Sequence, residues 1–434
     1  MSNIWSEFGF RGNPFSTAPI KANAEGKKLL KGRDKELRLL RMKLTSSDLH
    51  TTIEGQNGVG KTSLVGIAAF TLYEEFLDDP ENKPAFIPVD HIFQISATEN
   101  IEAFKEKFLL RMVSFISSLE WLDETRFPVG KLEDLRRWSN DPIIKSFNGG
   151  LSIAGFGANA STTNSVNGSS AFSGAGLEAS LREILNIMFP AGCSGGFVCL
   201  LDNMELLDTS LTARKVLEDL RDSVLSFPGI KWVLCGARGI IRSVASTNRL
   251  QGKLATPIEL APLADNDVGD VIEARTSILK TKVDAYIPIA SNGFKFVYDI
   301  SNHNLRIALK FCEDYCLWCA FEGKKPQNEE EKNELLKHWL TSEAEKNLAD
   351  TQSITRTGWS VFQVISQRPE GISPTGDYGE FGYDSPQALQ PHLRSLEQAA
   401  LIESTIDDSD RRRKTITLTP RGWLIDYYNK TKQN

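Results

Sequence analysis

The 434-residue chain contains no apolar run near the roughly 20 residues that a membrane span requires. Its opening, Met1-Ser2-Asn3-Ile4-Trp5-Ser6-Glu7, has neither the basic nor the apolar region of a signal peptide, so a soluble cytoplasmic protein without membrane contact is expected. Positive charge is not in excess. Lys and Arg number 50 against 56 Asp and Glu, a net charge of −6, so any nucleic-acid contact must be local. Cysteine is scarce: 6 residues offer no secreted disulfide framework, which fits a reducing compartment. Cys312, Cys316 and Cys319 share one face of the helical run 305–320 with Leu305 and Leu309, where core packing is expected; a metal would need a fourth ligand, for which His303 is the nearest candidate.

What the chain does have is one strong pattern. Gly55-Gln56-Asn57-Gly58-Val59-Gly60-Lys61-Thr62 satisfies G-x-x-x-x-G-K-[ST] between a short strand at 49–53 and a helix over 62–77, whose Leu64, Ile67, Ala68, Leu72 and Phe76 recur at helical spacing. Glycines let the backbone turn its N–H groups toward phosphate oxygens, and the first helical turn, Ser63 included, adds unpaired donors and the positive end of the helix dipole. Lys61 is expected at the β- and γ-phosphates and the Thr62 hydroxyl at Mg²⁺, which makes ATP and Mg²⁺ the expected ligands.

Strands and helices alternate around this loop. Residues 84–96 read as a second strand region and 101–119 as an amphipathic helix through Phe104, Phe108, Leu109, Met112, Val113 and Ile116, pointing to a parallel sheet covered by helices. The stretch 147–176 is rich in Gly, Ser and Asn and reads either as a flexible surface insertion or as a hairpin projecting toward a partner or DNA. The uninterrupted apolar strand ending at Leu201 places Asp202 at the sheet end where ligands bind, fit to support Mg²⁺. Asn203 follows where a water-polarising glutamate is usual, and Glu205, two further on, is the available substitute. A strand at 230–235 leads to Arg238 at the same end, suited to sensing the γ-phosphate or to capping the sheet; a short helix, Arg249 in a turn and a strand at 256–260 complete the core. Ahead of the loop, Gly12-Asn13-Pro14-Phe15 is a turn with an aromatic anchor, and Gly32-Arg33-Asp34 opens a helix through Leu44 that lies over a base or packs on the sheet edge.

From 261 onward helices dominate, over 265–279, 305–321 and 328–347, with Arg306 in the first turn of one that folds over the nucleotide as a lid. The last segment reads as helix, helix and a hairpin with a charged tip, the plan of a winged helix. Arg411, Arg412, Arg413 and Lys414 fall in the wing and His392 and Arg394 on the recognition helix, candidates for DNA contact, although Asp407, Asp408 and Asp410 partly neutralise the tip.

The loop at 55–62, Leu201-Asp202-Asn203, the Arg249 turn before Thr256-Pro257-Ile258-Glu259-Leu260, and Asn304-Leu305-Arg306 resemble the Walker A, Walker B, arginine-finger and sensor 2 positions of AAA+ ATPases. A winged helix after the lid is similar to the origin-recognition and initiator branch, and the tail from Leu393 through Asp410-Arg411-Arg412 to Leu418-Thr419-Pro420-Arg421-Gly422 resembles MarR-type winged helices. The resemblance implies an α/β fold with a P-loop parallel sheet over 1–262, an all-α lid over 263–350 and a winged-helix domain over 351–434. It also implies ATP hydrolysis, a homo-oligomer completed by Arg249 and a DNA partner. Leu201-Asp202-Asn203-Met204-Glu205 and Leu234-Cys235-Gly236-Ala237-Arg238 instead resemble STAND signalling NTPases, which implies a switch that recruits a protein effector, for example in antiviral defence. Arg306 stands where that group usually has proline, which favours the first likeness.

Overall fold

The computed structural model describes residues 3–119, 143–145, 151–153, 174–190, 195–207, 210–237, 239–406 and 414–433. Three helices, α1 (Ile4–Glu7), α2 (Ala24–Leu29) and α3 (Asp34–Ser46), precede β1 (Thr51–Glu54), and α4 (Lys61–Asp78) leaves the glycine loop. β2 (Ala85–Phe93) and α5 (Ile101–Ser118) follow, then the antiparallel pair β3 (Ile143–Lys145) and β4 (Leu151–Ile153) and the helix α6 (Gly174–Met188). The core continues through β5 (Gly195–Leu201), a 3-10 turn at Met204–Leu207, α7 (Ser210–Ser223), β6 (Ile230–Gly236), α8 (Ile240–Ala245) and β7 (Ile258–Glu259).

The five long-range strands form one parallel sheet in the order β2-β5-β6-β1-β7. β5 and β6 are buried at every position, as strands covered on both faces must be. Alternation divides their side chains. Phe197, Cys199, Trp232 and Leu234 join Phe108, Leu185 and Leu217 in the core under α5, α6 and α7. Val198, Leu200, Val233 and Cys235 join Leu40, Leu64, Ala68 and Leu72 under α3 and α4 on the other face. This is the expected class, an α/β fold built on a P-loop parallel sheet with covering helices. Of the stretch 147–176, residues 151–153 pair with 143–145 and 174–176 open α6; the remainder lies outside the described residues.

An all-helical region comes next: α9 (Asp265–Leu279), α10 (Ser291–Ile300), α11 (Leu305–Phe321) and α12 (Glu329–Ala349). Its core takes in Trp5, Phe8 and Phe15 from the N-terminal segment together with Cys312, Cys316 and Cys319. Burial pushes all three thiols up, and His303 lies instead beside Asp299, so the cysteines pack rather than ligate. The chain ends with α13 (Arg356–Ser366), α14 (Pro386–Gln398), the hairpin β8 (Ile402–Ile406) and β9 (Lys414–Leu418), and α15 (Pro420–Gln433). The helix, helix, hairpin order is as expected, and Ile372 adds an antiparallel bridge to Ile416. α15 was not anticipated: it lies on α12, with Leu424 and Tyr428 in the helical core, Tyr428 Oη donating to Glu345 at 2.8 Å and Arg421 to the Asn347 carbonyl at 2.7 Å. Among the described residues no helix is long and apolar enough to cross a membrane.

Candidate nucleotide-binding site

β1 ends at Glu54 and the chain turns at once, because Gly58 and Gly60 hold φ of 87° and 99°, values that side-chain-bearing residues avoid. Gly60 is the N-cap of α4 and supplies no side-chain cap, which leaves first-turn N–H groups directed into the loop. Lys61 is buried, and its ammonium donates to the carbonyls of Gly55 at 2.8 Å and Gln56 at 3.2 Å and reaches Asn57 Oδ1 at 3.4 Å. Arg33, also buried, donates to the Val59 carbonyl at 3.2 Å; burial lowers its pKa, partly offset by Glu36. Ser63 faces elsewhere: its hydroxyl accepts from the Ile20 N–H at 3.0 Å and docks the N-terminal segment on α4.

The second motif meets the first across β6. Thr62 Oγ1 donates to Asp202 Oδ2 at 2.6 Å, joining residues 140 positions apart. Asp202 is buried, and its other oxygen accepts from the Asn203 N–H at 2.9 Å. Asn203 has φ of 58°, a left-handed conformation that asparagine tolerates far better than glutamate, which gives a physical reason for Asn at this place. Glu205 sits in the 3-10 turn, its Oε2 buried and without a hydrogen-bond partner among the described residues. Burial raises the Cys235 thiol, and Asp202 and Glu205 add to the rise, which puts both acids near the same sheet end.

A cleft lies over these groups. Thr17, Ala18 and Pro19 line it on one side, Asn57, Gly58 and Gly60 to Ser63 with Asp202 and Asn203 along the loop, and Leu305, Arg306 and Leu309 from α11. Arg275 of α9 closes it from behind, buried, donating to the carbonyls of Pro14 at 3.1 Å and Ser16 at 2.8 Å; burial pulls its pKa down to about 10. Lys61, Arg275 and Arg306 thus line a cleft whose lining acid is Asp202, an electrostatic setting for a polyanion, with Arg33 buried behind the loop. Sequence reading missed the parts of Arg33 and Arg275 because an arginine at a helix start or on an amphipathic helix reads as a solvated one, and only tertiary packing shows it inside.

The remaining candidates are dispersed. Arg249 is exposed, pairs with Glu218 at 3.0 Å, and stands in the turn whose Lys253 carbonyl accepts from the His50 N–H at 2.7 Å, at the opposite end of β1 from the glycine loop. It does not reach this chain's own cleft. Arg238, Arg411, Arg412 and Arg413 lie outside the described residues. Arg394 and Lys414 are exposed, and His392 is partly covered by the ring of Tyr383 at 5.8 Å.

Sheet order, glycine loop and the aspartate bonded to it define a P-loop α/β protein. No family model matches the chain, and no characterised protein matches it in sequence. Among solved structures it is similar to the ORC1 protein of Aeropyrum pernix in complex with DNA, at 11% identity and a TM-score of 0.45 over 98% of each chain. It is also similar to the ORC2 protein of the same organism, at 12% identity and a TM-score of 0.47 over 98% of this chain and 99% of that one. A Walker-type ATPase of Pyrococcus abyssi aligns at 13% identity and a TM-score of 0.45 over 95% and 99% respectively.

Proposed function

We propose that the chain is an ATP-binding and ATP-hydrolysing molecular switch of the AAA+ kind, made of a nucleotide-binding core (1–262), a helical lid (263–350) and a C-terminal winged helix (351–434). The 2.6 Å bond between Thr62 and Asp202 supports this reading most, since it joins two motifs far apart in sequence at the ligand-binding end of a parallel sheet. Their hard oxygen donors suit Mg²⁺, which when bound would neutralise phosphate charge. Lys61 exchanges loop carbonyls for phosphate oxygens, and Arg306 approaches from the lid. Glu205, with a buried unpaired carboxylate oxygen, orients and deprotonates the attacking water. Phosphate release assayed with Glu205→Gln tests that role: turnover is expected to fall by about 10²-fold or more with ATP affinity retained.

Arg249, exposed and remote from its own cleft, serves a neighbour's γ-phosphate in a homo-oligomer. DNA is the partner of the C-terminal unit. The exposed side of α14 carries Gln387, Gln390 and Arg394, whose amides and guanidinium suit base edges and phosphates, with the wing arginines and Lys414 adding backbone contacts. One observation favours a second reading, a STAND-like switch whose winged helix serves a protein effector: α15 fastens the C-terminal unit to the lid through Leu424, Tyr428 and Arg421. Duplex-DNA binding measured against salt separates the two. Phosphate contacts give a steep loss of affinity, and absence of binding favours the effector.

A further inference from the structure

Between α10 and α11 the chain turns through Ser301-Asn302-His303-Asn304, and Asn302 and His303 have consecutive left-handed φ values of 52° and 55°. Such conformations cost energy in residues with a Cβ and persist where the surroundings fix them. Here they are fixed from within the lid. The buried Ser301 hydroxyl donates to the Val297 carbonyl at 2.7 Å, the His303 N–H to the Tyr298 carbonyl at 3.0 Å, and the His303 ring meets the buried Tyr298 ring edge-on at 5.3 Å.

The two asparagines of this turn reach different parts of the molecule. Asn304 Nδ2 donates to the Asn57 carbonyl of the glycine loop at 2.8 Å, while its Oδ1 caps α11 by accepting from the Ile307 N–H at 3.3 Å. Asn302 Nδ2 donates to the Pro369 carbonyl at 3.1 Å, three residues before Ile372 bridges to Ile416 in β9. The contact with the loop has no slack, since a Cβ on Gly58 would lie 2.5 Å from Asn304 Oδ1 and 2.8 Å from the Cβ of Arg306.

We propose that residues 301–304 are a strut that carries the nucleotide state of the glycine loop to the C-terminal hairpin. This rests on the reading of 55–62 as a phosphate-binding loop. A phosphate engaging Arg306 draws on the first turn of α11 and on its cap Asn304. The turn is rigid, so Asn302 moves with it and shifts the Pro369 carbonyl and the strand bridge beyond.

Two substitutions isolate the strut without removing its fold. Asn302→Gly keeps the left-handed backbone and deletes the amide, and Asn304→Asp keeps the cap but replaces the donor to Asn57 by an acceptor. Hydrogen exchange on the full chain with and without ATP and Mg²⁺ reads both ends. In the unaltered chain, nucleotide is expected to slow exchange over 58–65 and to change it over 368–373 and 415–418 by at least about threefold. Asn302→Gly, which is remote from the glycine loop, is expected to keep the first response and lose the second, whereas Asn304→Asp sets a carboxylate beside the Asn57 carbonyl and is expected to weaken both. A full C-terminal response in Asn302→Gly, or a response over 58–65 with none at the C-terminal peptides in the unaltered chain, overturns the strut. No response over 58–65 in the unaltered chain overturns the nucleotide reading and the strut with it.

Discussion

His50 is a neutral imidazole sealed between strands. The Trp232 N–H donates to Nδ1 at 3.3 Å, which leaves Nε2 as the protonated nitrogen donating to the Leu225 carbonyl at 2.7 Å. Burial lowers its pKa to about 4, so a proton added there breaks one of these bonds and charges the core. The unfolded chain binds this proton below its ordinary value of 6.5, and the folded chain only below about 4. Stability from this residue is therefore complete above pH 6.5 and lost as pH falls toward 4. Denaturant unfolding at pH 5 against pH 7 is expected to show a loss of about 2 kcal/mol from this group. A chain in which His50→Gln is made should show a shallower decline over that window. In the turn after β5, Glu205 holds a buried oxygen without a hydrogen-bond partner among the described residues, at some cost to folding. Glu205→Gln is accordingly expected to leave thermal stability unchanged or slightly raised while phosphate release falls.

At the scale of elements, hydrophobic periodicity made most of the molecule legible. The loop, the helix after it, β5 leading into Asp202, and the start of α14 at Ser385 and Pro386 all stand where the pattern put them, because apolar spacing and capping residues act locally. Several helices were not read from the sequence, α6, α7, α10 and α15 among them. α10 is only ten residues long, and its Phe294, Val297 and Tyr298 become a face only when α9 and α11 are known to flank it. α15 begins at Pro420, a residue that reads as a break after β9 but is tolerated in a first helical turn, and its apolar residues divide between the core of the helical region, which takes Leu424 and Tyr428, and the core of the C-terminal unit, which takes Ile425. The site divides likewise. Thr62 and Asp202 announced themselves by motif, whereas Arg33, Arg275 and Asn304 act through carbonyls of distant residues, which leave no trace in local sequence. Leu424 is buried among lid side chains, so Leu424→Ala is expected to lower stability by about 2–5 kcal/mol and to loosen the C-terminal unit, measurable as a lower unfolding midpoint.

For the whole molecule, the distance between Arg249 and its own cleft turns the question of assembly into a kinetic one. If a neighbour's Arg249 completes each site, Arg249→Ala is expected to leave ATP affinity intact while turnover falls by roughly 10³-fold. Mixing it with Lys61→Ala should then restore part of the activity, since each variant retains what the other lacks. Loss of ATP affinity in Arg249→Ala would place the residue in its own site instead. The proposed DNA contact belongs to the same scale: with a net charge of −6, any affinity has to come from the few cations of the C-terminal unit and is expected to fall steeply between low and moderate salt. The turnover and assembly outcomes depend on a triphosphate occupying the turn between β1 and α4. Calorimetric titration of the full chain with ATP and Mg²⁺, repeated on Lys61→Ala, measures that directly: saturable one-site binding weakened by about 10- to 100-fold in the variant is expected. Equal affinity in the two proteins, or no binding to the unaltered chain, contradicts the site.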